Sequence, residues 1–312
     1  MRPDHTSMPH DQVHKLPVEI LDQIFKLLHR GDLYRILQVN CCFYSLGIRI
    51  LYRSVVDLQP DQTVELLQSL CENEHNPPLV REFVFEFGAC CILGNALPIL
   101  LHRALTRLTA LVLLSVTFQQ RSNNQSLAWI FDGCSFSLQQ FETSIRCDAS
   151  LARFLDRQPN ITRLALGGFQ PGLPFTLLPS SLPQLSHIRA VPSGPPMLAE
   201  VIRGRPVQSV SLTLSMHDGT LALESLRLSS RTISRISGVV FHDEMEPSFL
   251  FSEISQRFPE LRELHIFSTS KFTSVCMCVC YLGRGKGGAA AARDLMYLGC
   301  TGVTCEVMRG AS

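Results

Sequence analysis

Five of the twelve cysteines in this 312-residue chain fall after Lys271: Cys276, Cys278, Cys280, Cys300 and Cys305. Alternate residues of an extended run face the same way. Cys276, Cys278 and Cys280 would therefore form one row of thiols, with Cys300 and Cys305 as further ligands. Four thiolates can hold zinc, but structural zinc sites usually take two close pairs at CxxC-type spacing around a turn, and this run does not supply them. Gly283, Gly285 and Gly288 then spell G-x-G-x-x-G ahead of AAAARDLMYL, the pattern of a dinucleotide-binding turn. Such a turn works only inside a parallel sheet, with a following strand and an acidic residue about twenty positions on. Glu306 stands at a suitable distance, but too little chain is left to build the sheet. Elsewhere, His242-Asp243-Glu244 is a dense polar run ahead of Pro247 that reads as a solvated connector. The sequence has no G-x-S-x-G elbow, no H-E-x-x-H helix and no Walker loop. The expected chemistry is thus none: no enzyme, no metal and no cofactor.

Composition points to a folded binding protein. The chain is 46% hydrophobic and 18% charged, enough apolar material for a large or repeated core. A net charge of +1 gives no global field towards nucleic acid or an anionic membrane. The opening residues MRPDHTSMPHDQ lack the apolar centre of a secretory signal, and no uninterrupted apolar run reaches the roughly 18 residues of a membrane span. A cytoplasmic or nuclear address follows. Cys41 with Cys42, and Cys90 with Cys91, are adjacent pairs inside apolar stretches, a poor layout for disulfides and one that reads as buried thiols.

The first patterned segment begins at Leu16-Pro17. Pro17 suits a helix start, and the periodicity predicts a helix to about Leu28. Its Ile20, Leu21, Ile24, Phe25, Leu27 and Leu28 cover an arc of roughly 180°, wider than one packing face requires. Gly31 reads as a stop and Asp32 as the N-cap of a second helix through Leu33, Ile36 and Leu37. A third carries Phe43, Leu46, Ile50 and Leu51. A unit this small buries only part of its apolar surface alone, so the surplus must meet the rest of the chain or a partner.

Leu16, Pro17, Glu19, Ile20, Leu21, Ile24, Phe25, Leu28, Asp32, Leu33, Val39, Phe43 and Tyr52 carry a resemblance: residues 14–57 are similar to the F-box, as met in fungal F-box proteins. The resemblance implies that this segment docks on a Skp adaptor, and through it on a cullin scaffold, with Leu16, Pro17, Ile20, Ile24, Phe25, Leu33, Val39 and Phe43 as the contacts. Asn40 departs from the family, which more often has a small or thiol residue there.

From 58 to 268 a triplet of the form LxxLxL recurs, at Val80-Phe83-Phe85, Leu108-Leu111-Leu113, Leu138-Phe141, Ile161-Leu164-Leu166, Leu185-Ile188, Val207-Val210-Leu212, Ile233-Ile236 and Leu261-Leu264-Ile266. The spacing lies within or near the leucine-rich-repeat period. Pro78, Pro159, Pro183, Pro206 and Pro259 stand one or two residues ahead of a triplet, where proline can end a helix and enter a strand. Helical patterns precede several of them, clearest in TVELLQSL, ALPILLHRAL, LARFLDRQ and SFLFSEISQRF. The expected fold class is α/β: a three-helix unit followed by an irregular leucine-rich-repeat-like solenoid. The Asn or Cys that standard repeats place after the strand is missing, so the loops should be irregular. Outward strand positions, Glu82, Val84, Arg163, His187, Arg189, Ser209, Ser211, Glu263 and His265, are the candidate contacts for an unidentified target protein.

Residues 1–13 read as disordered. Composition shifts abruptly near 269, so 269–312 is expected to be a disordered Cys/Gly/Ala-rich tail or the product of translation past a gene-model boundary. The expected function is a substrate-receptor adaptor of a Skp-cullin-F-box ubiquitin ligase. The alternatives are a repeat module unconnected with ubiquitin, or a metal- or cofactor-binding protein acting through the C-terminal cysteines and glycines.

Overall fold

Apolar residues two apart, preceded in five of the eight triplets by a proline, make strands with one buried side. The computed structural model describes residues 16–56, 58–87, 96–118, 126–170, 172–190, 194–214, 219–241, 253–268, 276–280 and 298–300. It is an α/β protein built on one sheet that is not closed into a barrel. Three helices lead: α1 (Val18–Leu27), α2 (Arg30–Leu37) and α3 (Cys41–Arg53). Strand β1 (Ser54–Val55) follows α3 directly, and then α4 (Pro60–Glu72), β2 (Glu82–Phe87), α5 (Ala96–Leu105), β3 (Leu113–Phe118), β4 (Gln140–Arg146), α6 (Ala149–Asp156), β5 (Arg163–Gly168), β6 (His187–Ala190), α7 (Pro195–Ile202), β7 (Ser209–Leu214), α8 (Gly219–Leu226), β8 (Arg235–Phe241), a short helix at 253–257 and β9 (Glu263–Ser268). Strands β1 to β9 are parallel and lie side by side in sequence order. Within the tail, Cys276–Cys280 (β10) and Leu298–Cys300 (β11) extend the sheet in antiparallel fashion; Cys305 and the glycine motif lie outside the described residues, as do His242, Asp243 and Glu244.

Parallel sheets are ordinarily covered on both faces and read as continuous apolar runs. This one alternates. β4 switches between half-buried and buried at every residue, and β2 does so along most of its length. On the buried side, Phe83, Leu114, Phe141, Leu164, Ile188, Val210, Ile236 and Leu264 occupy one row in register across eight strands. Among the described residues helices α4 to α8 cover that side alone, through residues such as Leu67, Leu101, Phe154, Leu198 and Leu223, in one continuous core. An aromatic cluster sits at its middle: Phe154 lies 4.6 Å from Phe131, 5.3 Å from Phe141 and 6.3 Å from Phe136 between ring centres.

The register corrects one expected triplet. Leu114, not Leu111, pairs with Phe83 and Phe141, so the second triplet is Leu111-Leu114-Val116. Leucines at 108, 111, 113 and 114 fit two overlapping phases. Leu108, fully buried, belongs to the turn after α5, and Leu113 faces the uncovered side. The connections are less regular than the helical patterns suggested. Between β3 and β4 the described residues form a 3-10 turn, Ala128–Phe131, and it carries Trp129, whose ring packs 5.6 Å from His102.

The missing loop asparagines have substitutes. The side-chain amide of Gln158, buried just ahead of Pro159, accepts from the Leu138 N–H at 3.0 Å and donates to the Phe136 carbonyl at 3.2 Å. Arg205, 3% exposed ahead of Pro206, donates to the carbonyls of Ser181 (2.9 Å), Leu178 (3.0 Å), Glu200 (2.7 Å), Val201 (3.2 Å) and Arg203 (3.3 Å). Each of these side chains thus stitches its own turn to the chain of the preceding unit.

At the end of β5 the register with β4 shifts between Thr143 and Arg146, and Gly168 fills the pinch. A Cβ there would stand 2.0 Å from the Ile145 carbonyl oxygen. Because that neighbour is backbone, Gly168→Ala is expected to destabilise the protein by about 1–3 kcal/mol. Urea unfolding measures it, and an unchanged midpoint would mean that the pinch relaxes freely.

The thiols divide by position. Cys147 is fully buried, and burial pushes its pKa up to about 12; burial also carries Cys134 to about 12, with Asp132 adding to the effect. Cys41 and Cys42 are exposed at the start of α3, against the expectation that they are buried, because no described element covers that turn. Cys90 and Cys91 lie outside the described residues. Since the thiolate is the reactive form, iodoacetamide at mildly alkaline pH should label Cys41 and Cys42 in the folded protein, and Cys134 and Cys147 only after unfolding. Peptide mapping by mass spectrometry reads this directly; early labelling of Cys147 would contradict the buried placement.

Candidate functional site

Among the described residues two surfaces remain uncovered, and the N-terminal helices hold the first. Leu21, Phe25, Leu33 and Leu37 form a small core of their own, with the Phe43 ring edge-on to Phe25 at 5.4 Å. Gly47 lets α3 approach: a Cβ there would meet Leu37 at 2.5 Å and Leu33 at 3.2 Å. The Asn40 side chain accepts the Phe43 N–H at 2.8 Å and so caps α3, which gives this departure from the F-box pattern a local purpose. The α1–α2 junction differs from expectation. α1 stops at Leu27, His29 caps α2, and Gly31 lies inside the first turn of α2, because Leu28 and His29 are already extended and need no glycine.

What this core leaves outside is large. Of the thirteen large hydrophobic residues exposed among the described residues, eight lie between Leu16 and Tyr44: Leu16, Val18, Ile20, Ile24, Leu27, Tyr34, Val39 and Tyr44. Ile20, Ile24 and Leu27 recur at helical spacing, which makes an apolar stripe along α1. Leu27 is 86% exposed and Val39 65%. Of the eight expected contacts, Leu16, Pro17, Ile20, Ile24 and Val39 are on the surface and Phe43 is half-buried. Phe25 and Leu33 are interior, each 3% exposed, and support that surface from beneath. Arc width alone could not separate the two groups, because α1 carries apolar residues on the inner and the outer side.

The helices are joined to the sheet without a linker. The Arg53 carbonyl accepts from Arg81 N–H at 2.9 Å, Arg30 donates to the Ser54 carbonyl at 2.8 Å, and the Ser54 hydroxyl donates to Glu82 at 2.8 Å. Val55, 1% exposed, belongs to the large core.

The second surface is the uncovered sheet face. Glu82, Leu113, Gln140, Arg163, His187, Ser209, Arg235 and Glu263 form one row in register, and Val84, Ser115, Glu142, Ala165, Arg189, Ser211 and Ser237 the next. Every expected target contact lies on this face, including His265, two residues beyond Glu263 in β9. The register adds Gln140, Glu142 and Arg235 to the same face.

No protein-family model matches the chain, and no curated protein matches it. Among the described residues no group of His, Cys, Asp and Glu could hold a metal ion, and no helix is long and apolar enough to cross a membrane.

Proposed function

We propose that the chain is an F-box-type substrate receptor: its three N-terminal helices dock on a Skp adaptor, and its sheet face presents a target protein to a cullin-based ubiquitin ligase. The observation that carries this reading is the division of apolar residues in the helices, with a four-residue core inside and eight large side chains outside. A surface of that kind is kept only where something covers it. The parallel strands in sequence order, helices on one side, fit an irregular leucine-rich-repeat-like solenoid, an architecture whose open face suits binding. Ubiquitin transfer would be done by other subunits, with proximity as this chain's contribution. Co-purification of the full chain with a purified Skp adaptor tests the proposal. A folded chain that leaves the adaptor unbound would end it, and the sheet would then be an interaction module unconnected with ubiquitin.

A further inference from the structure

The open face is unevenly charged. Glu82 and Glu86 stand on β2, whereas β5 to β8 carry Arg163, Arg189 and Arg235 around a floor of small side chains, Ala165, Ser209, Ser211 and Ser237. Arg163, His187, Ser209 and Arg235 follow one another across four strands. With neighbouring strands about 4.8 Å apart, the two arginines at the ends of this row stand roughly 14 Å apart at the backbone, a span their long side chains can bracket.

These cations are available. Arg163 is exposed and makes no ion pair or side-chain hydrogen bond among the described residues, and the hydroxyls of Ser209, Ser211 and Ser237 likewise have no partner there. Arg189 meets Glu142 at 3.4 Å and Arg235 meets Glu263 at 2.5 Å, both through substantially exposed side chains. Such pairs contribute little and exchange readily with an incoming anion. The His187 imidazole registers the local field: burial lowers its pKa, and Arg163 and Arg235 lower it further.

We propose that this part of the sheet face binds a short acidic segment of the target, with Arg163, Arg189 and Arg235 taking carboxylate or phosphate oxygens and the serine hydroxyls donating between them. The planar guanidinium fork suits both anions. Nucleic acid fits less well, because its affinity comes from many phosphates along a continuous basic track, and here Glu142 and Glu263 close the basic patch on either side. This inference rests on reading the face as the target surface and does not depend on the helices.

The experiment is fluorescence anisotropy with the full chain and four labelled probes: a short Glu-rich peptide, the same peptide with phosphoserines in place of some glutamates, a Gln-substituted version, and a single-stranded oligonucleotide of equal charge. The acidic peptides should bind, the Gln version should not, and affinity should fall as salt rises. Arg163→Gln with Arg235→Gln should weaken binding by about tenfold or more, while Arg153→Gln with Arg157→Gln on the helical side should leave it unchanged. Tighter binding of the phosphorylated peptide identifies phosphate as the anion, and equal binding identifies carboxylate. Absence of acidic-peptide binding, equal binding by the Arg163/Arg235 variant, or preference for the oligonucleotide would overturn the proposal. The salt dependence needs no variant. Substitutions on α1 that abolish Skp-adaptor binding should not alter these measurements, so the two readings fail separately.

Discussion

Replacing Ile20 and Ile24 by aspartate should weaken binding to a Skp adaptor by about a hundredfold or more, ~2.7 kcal/mol, while leaving the unfolding midpoint almost unchanged. Both side chains are more than 40% exposed in the free chain, so the folded protein loses little when they change. In a complex they would be covered, and a carboxylate there would be desolvated without a partner. Changing the same helix from the inside should do the opposite. Phe25→Ala removes the ring against Phe43 and opens a cavity among Leu21, Leu33 and Leu37, at about 3–5 kcal/mol. Adaptor binding by this variant would fall together with its helical signal, whereas the Ile20/Ile24 variant would keep that signal and lose only the partner. Undiminished adaptor binding by the Ile20/Ile24 variant would remove the apolar stripe from the proposed interface.

Arg205→Met should be among the most damaging substitutions in the sheet region, at about 3–5 kcal/mol in urea unfolding. The side chain is 3% exposed, and its guanidinium serves five carbonyls from two successive units. Methionine fills much of the volume but donates nothing, so buried acceptors are left unsatisfied at roughly 1–3 kcal/mol each where water cannot reach. Beside it, the Ser181 hydroxyl donates to Asp156, and Glu200 accepts from Leu177 N–H at 2.8 Å, so the loss would loosen the neighbouring turn as well. Arg205→Lys should recover little, because an ammonium cannot span five acceptors as the guanidinium does. The control is Arg203→Met, exposed two residues away. Equal stability for the two variants would show that these five hydrogen bonds contribute nothing net.

Much of this architecture could be read from residue order. Leu16-Pro17 and the periodicity after it located α1 to within a residue at each end, and seven of the eight triplets have the phase seen in the sheet, each with its buried residues on the helical side. The prolines helped because they mark where backbone donors are dispensable, a constraint that tertiary packing does not override. Other features had no one-dimensional signal. α7, with the sequence PPMLAEVI, and α8, with GTLALESL, are short and apolar on most sides, so periodicity does not separate them from strands. The roles of Gln158 and Arg205 arise from contact with units more than twenty residues away, and nothing in their immediate neighbours distinguishes them from surface polar residues. The target face was legible in part: interleaved positions followed from the triplets, but Arg235 and Glu142 emerged only once strand register was known.

The direct passage from α3 into β1 carries a mechanical consequence. Chain that runs from helix to strand between Arg53 and Ser54, clasped by Arg30 and anchored by Val55, has no swivel. On the adaptor reading, cargo and scaffold would then be held at a set offset and angle, so the receptor acts as a ruler. Lysines at the matching height above the sheet would be modified, and equally accessible ones elsewhere on the same target spared. A flexible glycine-serine insert at this join would trade that selectivity for reach, spreading ubiquitin over more positions while leaving both affinities intact.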